Sequence, residues 1–168
     1  MLILAACGGA SEATTSDAST TTTVPALTRT TLPGGDSVAY PSDWISYGEG
    51  FSGSLELGIP GVANVSIRDA AASEYLFGPQ WPDTASLDEA FELAEFGFAG
   101  AAVGEASRTT VDGVEVIWAP VTIDGTDGVM AVAGAGGSSV SLYAASADGD
   151  LPGETVDAIL RVLASVGR

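Results

Sequence analysis

The stretch GEASRTTVDGVEVIWAPVTIDGTDGVMAVAGAGGSSVSLYAAS, residues 104–146, decides the fold of this chain. Its segments are rich in β-branched residues, and three short turn sequences separate them: Asp112-Gly113, the DGTDG of residues 124–128, and Gly136-Gly137. Asp-Gly and Gly-Gly pairs supply the positive φ angles that tight hairpins need. The stretch therefore predicts an antiparallel meander of four strands. Its small residues at 131–135 also predict a place where a helix packs closely on the sheet.

Two amphipathic helices are predicted on the two sides of this meander. In the earlier one, Ser86 and Glu89 form a capping box. An apolar stripe follows at Leu87, Phe91, Ala94 and Phe98. The later helix lies in LPGETVDAILRVLASVG, residues 151–167, where the proline suits a first helical turn. Its apolar stripe consists of Val156, Ile159, Leu160 and Leu163.

Alternating apolar residues before the first helix predict further strands, at residues 37–47, 51–59 and 62–68. The order is then strands, helix, four strands, helix. This order is typical of an α+β domain in which helices cover an antiparallel sheet. We therefore expect one α+β domain over residues 37–168.

Three segments of this domain carry a resemblance to a known family. They are VAYPSDW (residues 38–44), TTVDGVEVIW (residues 109–118) and DAILRVLASV (residues 157–166). Together they resemble the PsbP/Mog1-type family, which includes short bacterial lipoproteins. The resemblance implies an α-β-α sandwich with a non-catalytic, protein-binding or assembly role. It implies no catalytic motif, and the proline-rich residues 77–82 depart from the family pattern.

The N-terminal residues predict a lipid anchor. Leu4, Ala5, Ala6 and Cys7 resemble a bacterial lipobox, in which signal peptidase recognises the small residues and the cysteine is lipidated. Residues 1–6 are too short for a whole signal peptide, so we interpret them as the end of a truncated one. Residues 7–36 are rich in Ser and Thr and show no hydrophobic periodicity, which predicts a disordered linker. We expect localisation at the outer, extracytoplasmic face of the cell membrane.

Composition excludes several classes of function. The net charge is −17, with five arginines and neither lysine nor histidine. Nucleic-acid binding requires a basic surface, so nucleic acid is not an expected partner. Without histidine or lysine, the sequence has neither a Ser-His-Asp triad nor a Schiff-base lysine. The acidic pairs in residues 124–128 and 148–154 lack calcium-binding spacing, so no metal or cofactor is expected, and the surface charge favours a monomer.

The loop FGPQWPD, residues 77–83, contains the candidate partner contact. Pro79 and Pro82 stiffen the loop around Gln80 and Trp81. A rigid loop that presents a tryptophan loses little entropy on binding, and tryptophan is enriched in binding hot spots. Gln80 and Trp81 are therefore predicted to contact a partner; the alternative is that Trp81 folds back onto the sheet edge or the start of the helix.

Three functions follow from these observations. The first is a cell-envelope lipoprotein whose domain binds another envelope protein, which the sequence does not identify. The second is a carrier or sensor of a small amphiphilic ligand held between sheet and helix near residues 131–137. The third is a hydrolase with two carboxylates that meet only in the folded chain.

Overall fold

The computed structural model describes residues 25–98, 100–134 and 138–168. The strands are β1 (Leu27–Thr31), β2 (Ser37–Pro41), β3 (Ile45–Glu49), β4 (Leu55–Ile59), β5 (Ala63–Arg68), β6 (Ala102–Val103), β7 (Ser107–Val111), β8 (Val114–Ile123), β9 (Thr126–Ala133) and β10 (Val140–Ser146). The helices are α1 (Ala70–Phe77), α2 (Leu87–Gly97) and α3 (Gly153–Ala164). Single 3₁₀ turns lie at Phe51–Gly53 and Trp81–Asp83.

The predicted meander is confirmed as β7, β8, β9 and β10, which pair antiparallel in that order. Two of its turns have two residues each, Asp112-Gly113 and Asp124-Gly125, and all four have positive φ. The second turn is shorter than the predicted DGTDG loop, because Thr126 already pairs with Ile123. The third predicted turn, Gly136-Gly137, lies outside the described residues.

The meander is half of a larger antiparallel sheet with the order β3-β4-β5-β10-β9-β8-β6, in which β7 also pairs with β8. Pro120 explains why two strands share one edge of β8. Proline has no N–H to donate, so the ladder of β7 stops before it. The Gly104 N–H instead donates to the Pro120 carbonyl at 2.8 Å, and β6 resumes the pairing opposite Val121 and Thr122.

Helices cover both faces of this sheet, as the α+β prediction requires. The α3 face packs α3 and the β1–β2 hairpin against β4, β5 and β8–β10. The α2 face packs α2 and Trp81 against β8 and β9. Successive residues of β9 alternate between these two cores, because side chains alternate across a strand. The domain is therefore an α-β-α sandwich.

Both predicted helices form, and the predicted apolar stripes are buried except at Phe98, which follows the end of α2 and is half-buried. Ser86 caps α2 by accepting a hydrogen bond from the Glu89 N–H at 3.2 Å. The Glu89 carboxylate accepts from the Ala85 N–H, one residue before the position expected for a capping box. The four stripe residues predicted for α3 are all buried. Among the described residues, no helix is long and apolar enough to cross a membrane.

Helix α1 was not predicted, because its eight residues have only a weak amphipathic pattern. Asp69 begins it: its carboxylate accepts hydrogen bonds from the Ala72 N–H at 3.0 Å and the Gly34 N–H at 2.6 Å. Gly78, with φ of 104°, ends it. One carboxylate of a buried aspartate thus caps the helix start locally and, through a long-range contact, holds the loop that joins β1 to β2.

The predicted linker boundary at residue 36 is wrong. Residues 27–31 form β1, which pairs with β2 from Leu27↔Pro41 to Thr31↔Ser37. Leu32 is buried in the core under α3. The threonines of this segment favour strands as well as loops, and pairing with β2 selects the strand. The folded domain therefore includes residues that we assigned to the linker; residues 7–24 lie outside the described residues.

We predict that Ile159→Ala destabilises the domain by about 2–5 kcal/mol, the usual cost of a large-to-small change in a core. Ile159 is completely buried between α3 and the sheet. Arg161→Ala is the matched control, since Arg161 lies on the exposed side of the same helix. Chemical denaturation measures both free energies of unfolding. Equal effects would contradict the assignment of the buried face.

Candidate functional site

A groove lies on the α3 face of the domain, between β7 and α3. It consists of two adjacent depressions of about 540 and 590 Å³, which share Trp118 and Asp157. All of β7 lines the first depression, together with Leu160 and Arg161 of α3. The facing parts of β8 and β9 and the segment before α3 line the second. We call this surface the Trp118 groove.

The groove exists because the sheet is wider than the helix that covers it. The core under α3 includes Val116, Val129 and Ala131, and Trp118 lies at its margin, half-buried. Trp118 pairs with Ser107 on β7 and with Ala131 on β9. Small neighbours on both sides leave part of the indole open, so Trp118 forms an apolar floor between the two depressions.

Carboxylates dominate the charge of the groove. They are Asp112 at the end of β7, Asp127 on β9, and Asp150 and Asp157 at the start of α3. Asp127 accepts a hydrogen bond of 2.7 Å from the Thr122 hydroxyl on the opposite strand. The sequence suggested only turn roles for Asp127 and Asp150; the fold brings them to one surface.

Two arginines border the same groove. Arg161 extends from the exposed side of α3. Arg108 is engaged elsewhere: its guanidinium bonds to Asp88 of α2 and lies 3.6 Å from Glu115. The hydrogen bond to Asp88 raises the pKa of Arg108 above its usual value. Arg108 is therefore already paired, and the lining keeps an excess of negative charge.

The chemistry of this lining suits binding. Within the described ranges, no group of three or more Asp, Glu or Cys side chains is placed to hold a metal ion. The lining combines an apolar floor, carboxylates and the polar residues of β7. An indole face attracts cations, and carboxylates attract basic groups.

The structure corrects the prediction that Trp81 contacts a partner. Trp81 is 0% exposed and lies between α2 and the sheet. Its indole N–H donates to the Ser139 carbonyl at 3.1 Å, and its ring lies 5.1 Å from that of Phe77. The alternative interpretation, a tryptophan folded back onto sheet and helix, is the one observed. Phe77 belongs to α1, the helix that the sequence did not reveal.

Gln80, the other predicted contact, is exposed. It lines a separate depression of about 470 Å³ beside α2, with Asp83, Glu89 and the exposed Phe96 nearby. The structure thus separates the two predicted contacts, with Gln80 at the surface and Trp81 in the core. Leu4, Ala5, Ala6 and Cys7 lie outside the described residues, so their lipobox role stays a prediction.

The space predicted for a small ligand is partly filled. Ala131 and Ala133 are buried directly beneath α3, which confirms close packing of a helix at these small residues. Residues 135–137 lie outside the described residues. Ala131 and Ala133 pack against α3. A separate depression of about 270 Å³ lies beside them, and Ala133, Gly134, Ser138 and the end of α3 line it.

A second polar cluster lies on the α2 face of β4 and β5. Glu56 accepts hydrogen bonds from Ser54 and Ser66 at 2.5 and 2.7 Å. Within the described part of the chain, the buried Nε and Nη1 of Arg68 have no hydrogen-bond partner. Burial lowers the pKa of Arg68, and the nearby charge of Glu56 partly offsets this effect. The cluster is internal and joins no groove.

Sequence reasoning missed Trp118 and Asp157 as parts of a site. Trp118 falls in a strand-like stretch, which favours a place in the core, and Asp157 is one polar position in an amphipathic helix. Their shared groove depends on how far α3 extends across the sheet. The sequence did contain one sign of it. Side chains alternate between the two faces of β8, which places Trp118 on the same face as the buried Val116.

Comparison with known proteins gives similarities to solved structures. No protein-family model matches the chain. No curated protein sequence matches it. Its structure is similar to the solution structure of cyanobacterial PsbP (CyanoP) from Synechocystis sp. PCC 6803, with a TM-score of 0.43, 14% identity and 97% of each chain covered.

We predict that Trp81→Ala destabilises the domain by about 3–5 kcal/mol, because the substitution empties a buried site and leaves the Ser139 carbonyl unpaired. Gln80→Ala, one residue away and exposed, is the control and should change stability little. Thermal unfolding followed by circular dichroism measures both. Unchanged stability in Trp81→Ala would restore the surface interpretation.

Proposed function

We propose that this chain is the non-catalytic binding domain of a cell-envelope lipoprotein, and that it binds another envelope protein through the Trp118 groove. The groove itself is the observation that supports binding. Its two adjoining depressions are lined by an exposed indole face and by polar and charged groups. Neither depression is closed by a helix. Tryptophan is enriched among binding hot spots.

The proposed membrane attachment rests on the lipobox and the polar segment that follows it. Acyl chains on Cys7 would hold the protein to the membrane, each buried CH₂ contributing about 0.8 kcal/mol. Residues 8–24 would separate the anchor from β1, the first strand of the domain. The groove would then face partners at the outer side of the membrane.

The proposed groove function is tested by site-specific photo-crosslinking in intact cells. A benzophenone side chain replaces Thr109, on the wall of the groove, or Glu74, on the exposed side of α1. We expect a discrete adduct from position 109 that is absent at position 74. Trp118→Leu, which keeps an apolar floor but removes the indole, should weaken the adduct several-fold. Identical adducts from both positions, or no adduct from either, would contradict binding of a partner at the groove.

The proposed anchor has its own test. Cys7→Ala should move the protein from the membrane fraction to the soluble fraction, because acylation at this cysteine is the attachment. Ser11→Ala, in the same polar segment, is the control and should leave the protein membrane-bound. Cell fractionation with a detergent-free wash measures the distribution. Retention of Cys7→Ala on the membrane would contradict lipid anchoring.

A further inference from the structure

We infer that the occupant of the Trp118 groove is an extended, basic segment of the partner protein, which adds to β7 as an extra strand. This inference rests on the proposed function and specifies the chemistry of the partner. The edge of β7, the side chains of the groove and its charge support it independently.

The backbone of β7 provides the first support. Its hairpin turn has two residues, so the closing pair Val111↔Val114 exchanges hydrogen bonds, and so do Thr109↔Val116 and Ser107↔Trp118. The intervening residues, Arg108 and Thr110, therefore direct their N–H and C=O groups away from β8. No other described strand pairs with this side of β7. An extended peptide can accept and donate hydrogen bonds there.

The opposite edge of the sheet, β3, is protected against the addition of a strand, whereas β7 is not. Strand β3 has a register shift between Ser46 and Gly48, and Gly48 has φ of 86°. A bulge of this kind interrupts the row of backbone groups and discourages strand addition. β7 pairs with β8 in unbroken register over all five residues. Its outer edge is therefore a regular template.

The side chains of β7 provide the second support. Ser107, Thr109 and Val111 share the face of Trp118 and Val116, because paired residues lie on the same side of a sheet. These side chains are small or β-branched, so they leave room above the strand. An added strand would place alternate side chains beside Ser107, Thr109 and Val111, and long side chains would extend over β7 into the mouth of the groove, toward Trp118. Edge hydrogen bonds would supply affinity, and this apolar floor would supply selectivity.

Charge provides the third support and selects the chemistry of the occupant. Asp112, Asp127, Asp150 and Asp157 line the groove. Apart from the paired Arg108, the cations near them are Arg161 in the lining and Arg168, whose guanidinium donates to the Asp112 carbonyl at 2.9 Å, so the carboxylates remain in excess. A segment with Lys or Arg at alternate positions would complement the four carboxylates. A second copy of this chain is disfavoured, because two chains of net charge −17 repel each other.

The test uses the folded chain and two short peptides. The probe is a capped seven-residue peptide of alternating valine and lysine, and its control has glutamate in place of lysine. Binding is followed by NMR titration of backbone amides. We expect saturable shifts concentrated at residues 107–111 with the lysine peptide, and at least about tenfold weaker binding of the glutamate peptide. Shifts spread over the acidic surface, or no binding, would overturn the inference.

Two substitutions at one position isolate the backbone contribution. Thr110→Pro removes an N–H that faces outward and leaves the β7–β8 ladder intact, whereas Thr110→Val keeps that N–H. We expect Thr110→Pro to weaken lysine-peptide binding about five- to tenfold and Thr110→Val to change it less than twofold. Equal affinities would overturn strand addition. N-methylation of alternate peptide amides provides the same test on the unsubstituted chain, should the proline variant fail to fold.

The crosslinking experiment separates this inference from the proposed function. An adduct at position 109 that persists unchanged in Thr110→Pro would overturn strand addition and leave the groove as a binding site. Loss of that adduct in Thr110→Pro, with Thr110→Val unaffected, would support it. Light scattering measures whether this chain dimerises. A dimer that dissociates on the substitution Thr110→Pro would overturn the choice of a basic partner.

Discussion

The pairing of β9 with β8 and β10 is the interaction on which the rest of the structure depends. These strands lie in the middle of the sheet and are covered on both faces, so they contribute to two cores at once. In β9, Val129, Ala131 and Ala133 face α3, whereas Met130 and Val132 face α2. A one-residue register shift would exchange the two sets and leave large side chains opposite the close-packed α3.

The width of the sheet relative to its helices explains where the surface opens. α3 packs on the middle strands, and the β1–β2 hairpin packs beside it through Val38 and Tyr40. Ser165, at the end of α3, joins these elements: its hydroxyl accepts from the Ala39 N–H at 2.9 Å and donates to the Val162 carbonyl at 2.7 Å. Among the described residues, no second hairpin packs over β7, so the groove and an unpaired strand edge occur together at that side.

Pro120 and Asp69 show how single residues with long-range partners shape this domain. Pro120 divides the last edge strand into β6 and β7, because it presents a carbonyl but no N–H to that edge. Asp69 starts α1 and fixes the loop at Gly34 with the two oxygens of one carboxylate. A Cβ at position 34 would lie 2.2 Å from Asp69 Oδ2, so glycine is needed for this approach.

The sequence by itself determined the elements whose signals are local. Asp112-Gly113 predicts a hairpin because its backbone angles suit few other residue pairs, and the stripes of α2 and α3 predict buried faces from helical periodicity alone. Tertiary structure decided what depends on distant partners. β1 forms because β2 is beside it, and Trp81 is buried because Ser139 and Phe77 close around it. Part of the Trp118 side chain is exposed because α3 does not cover the edge of the sheet. The position of α3 on the sheet is set by packing between elements that are far apart in the chain.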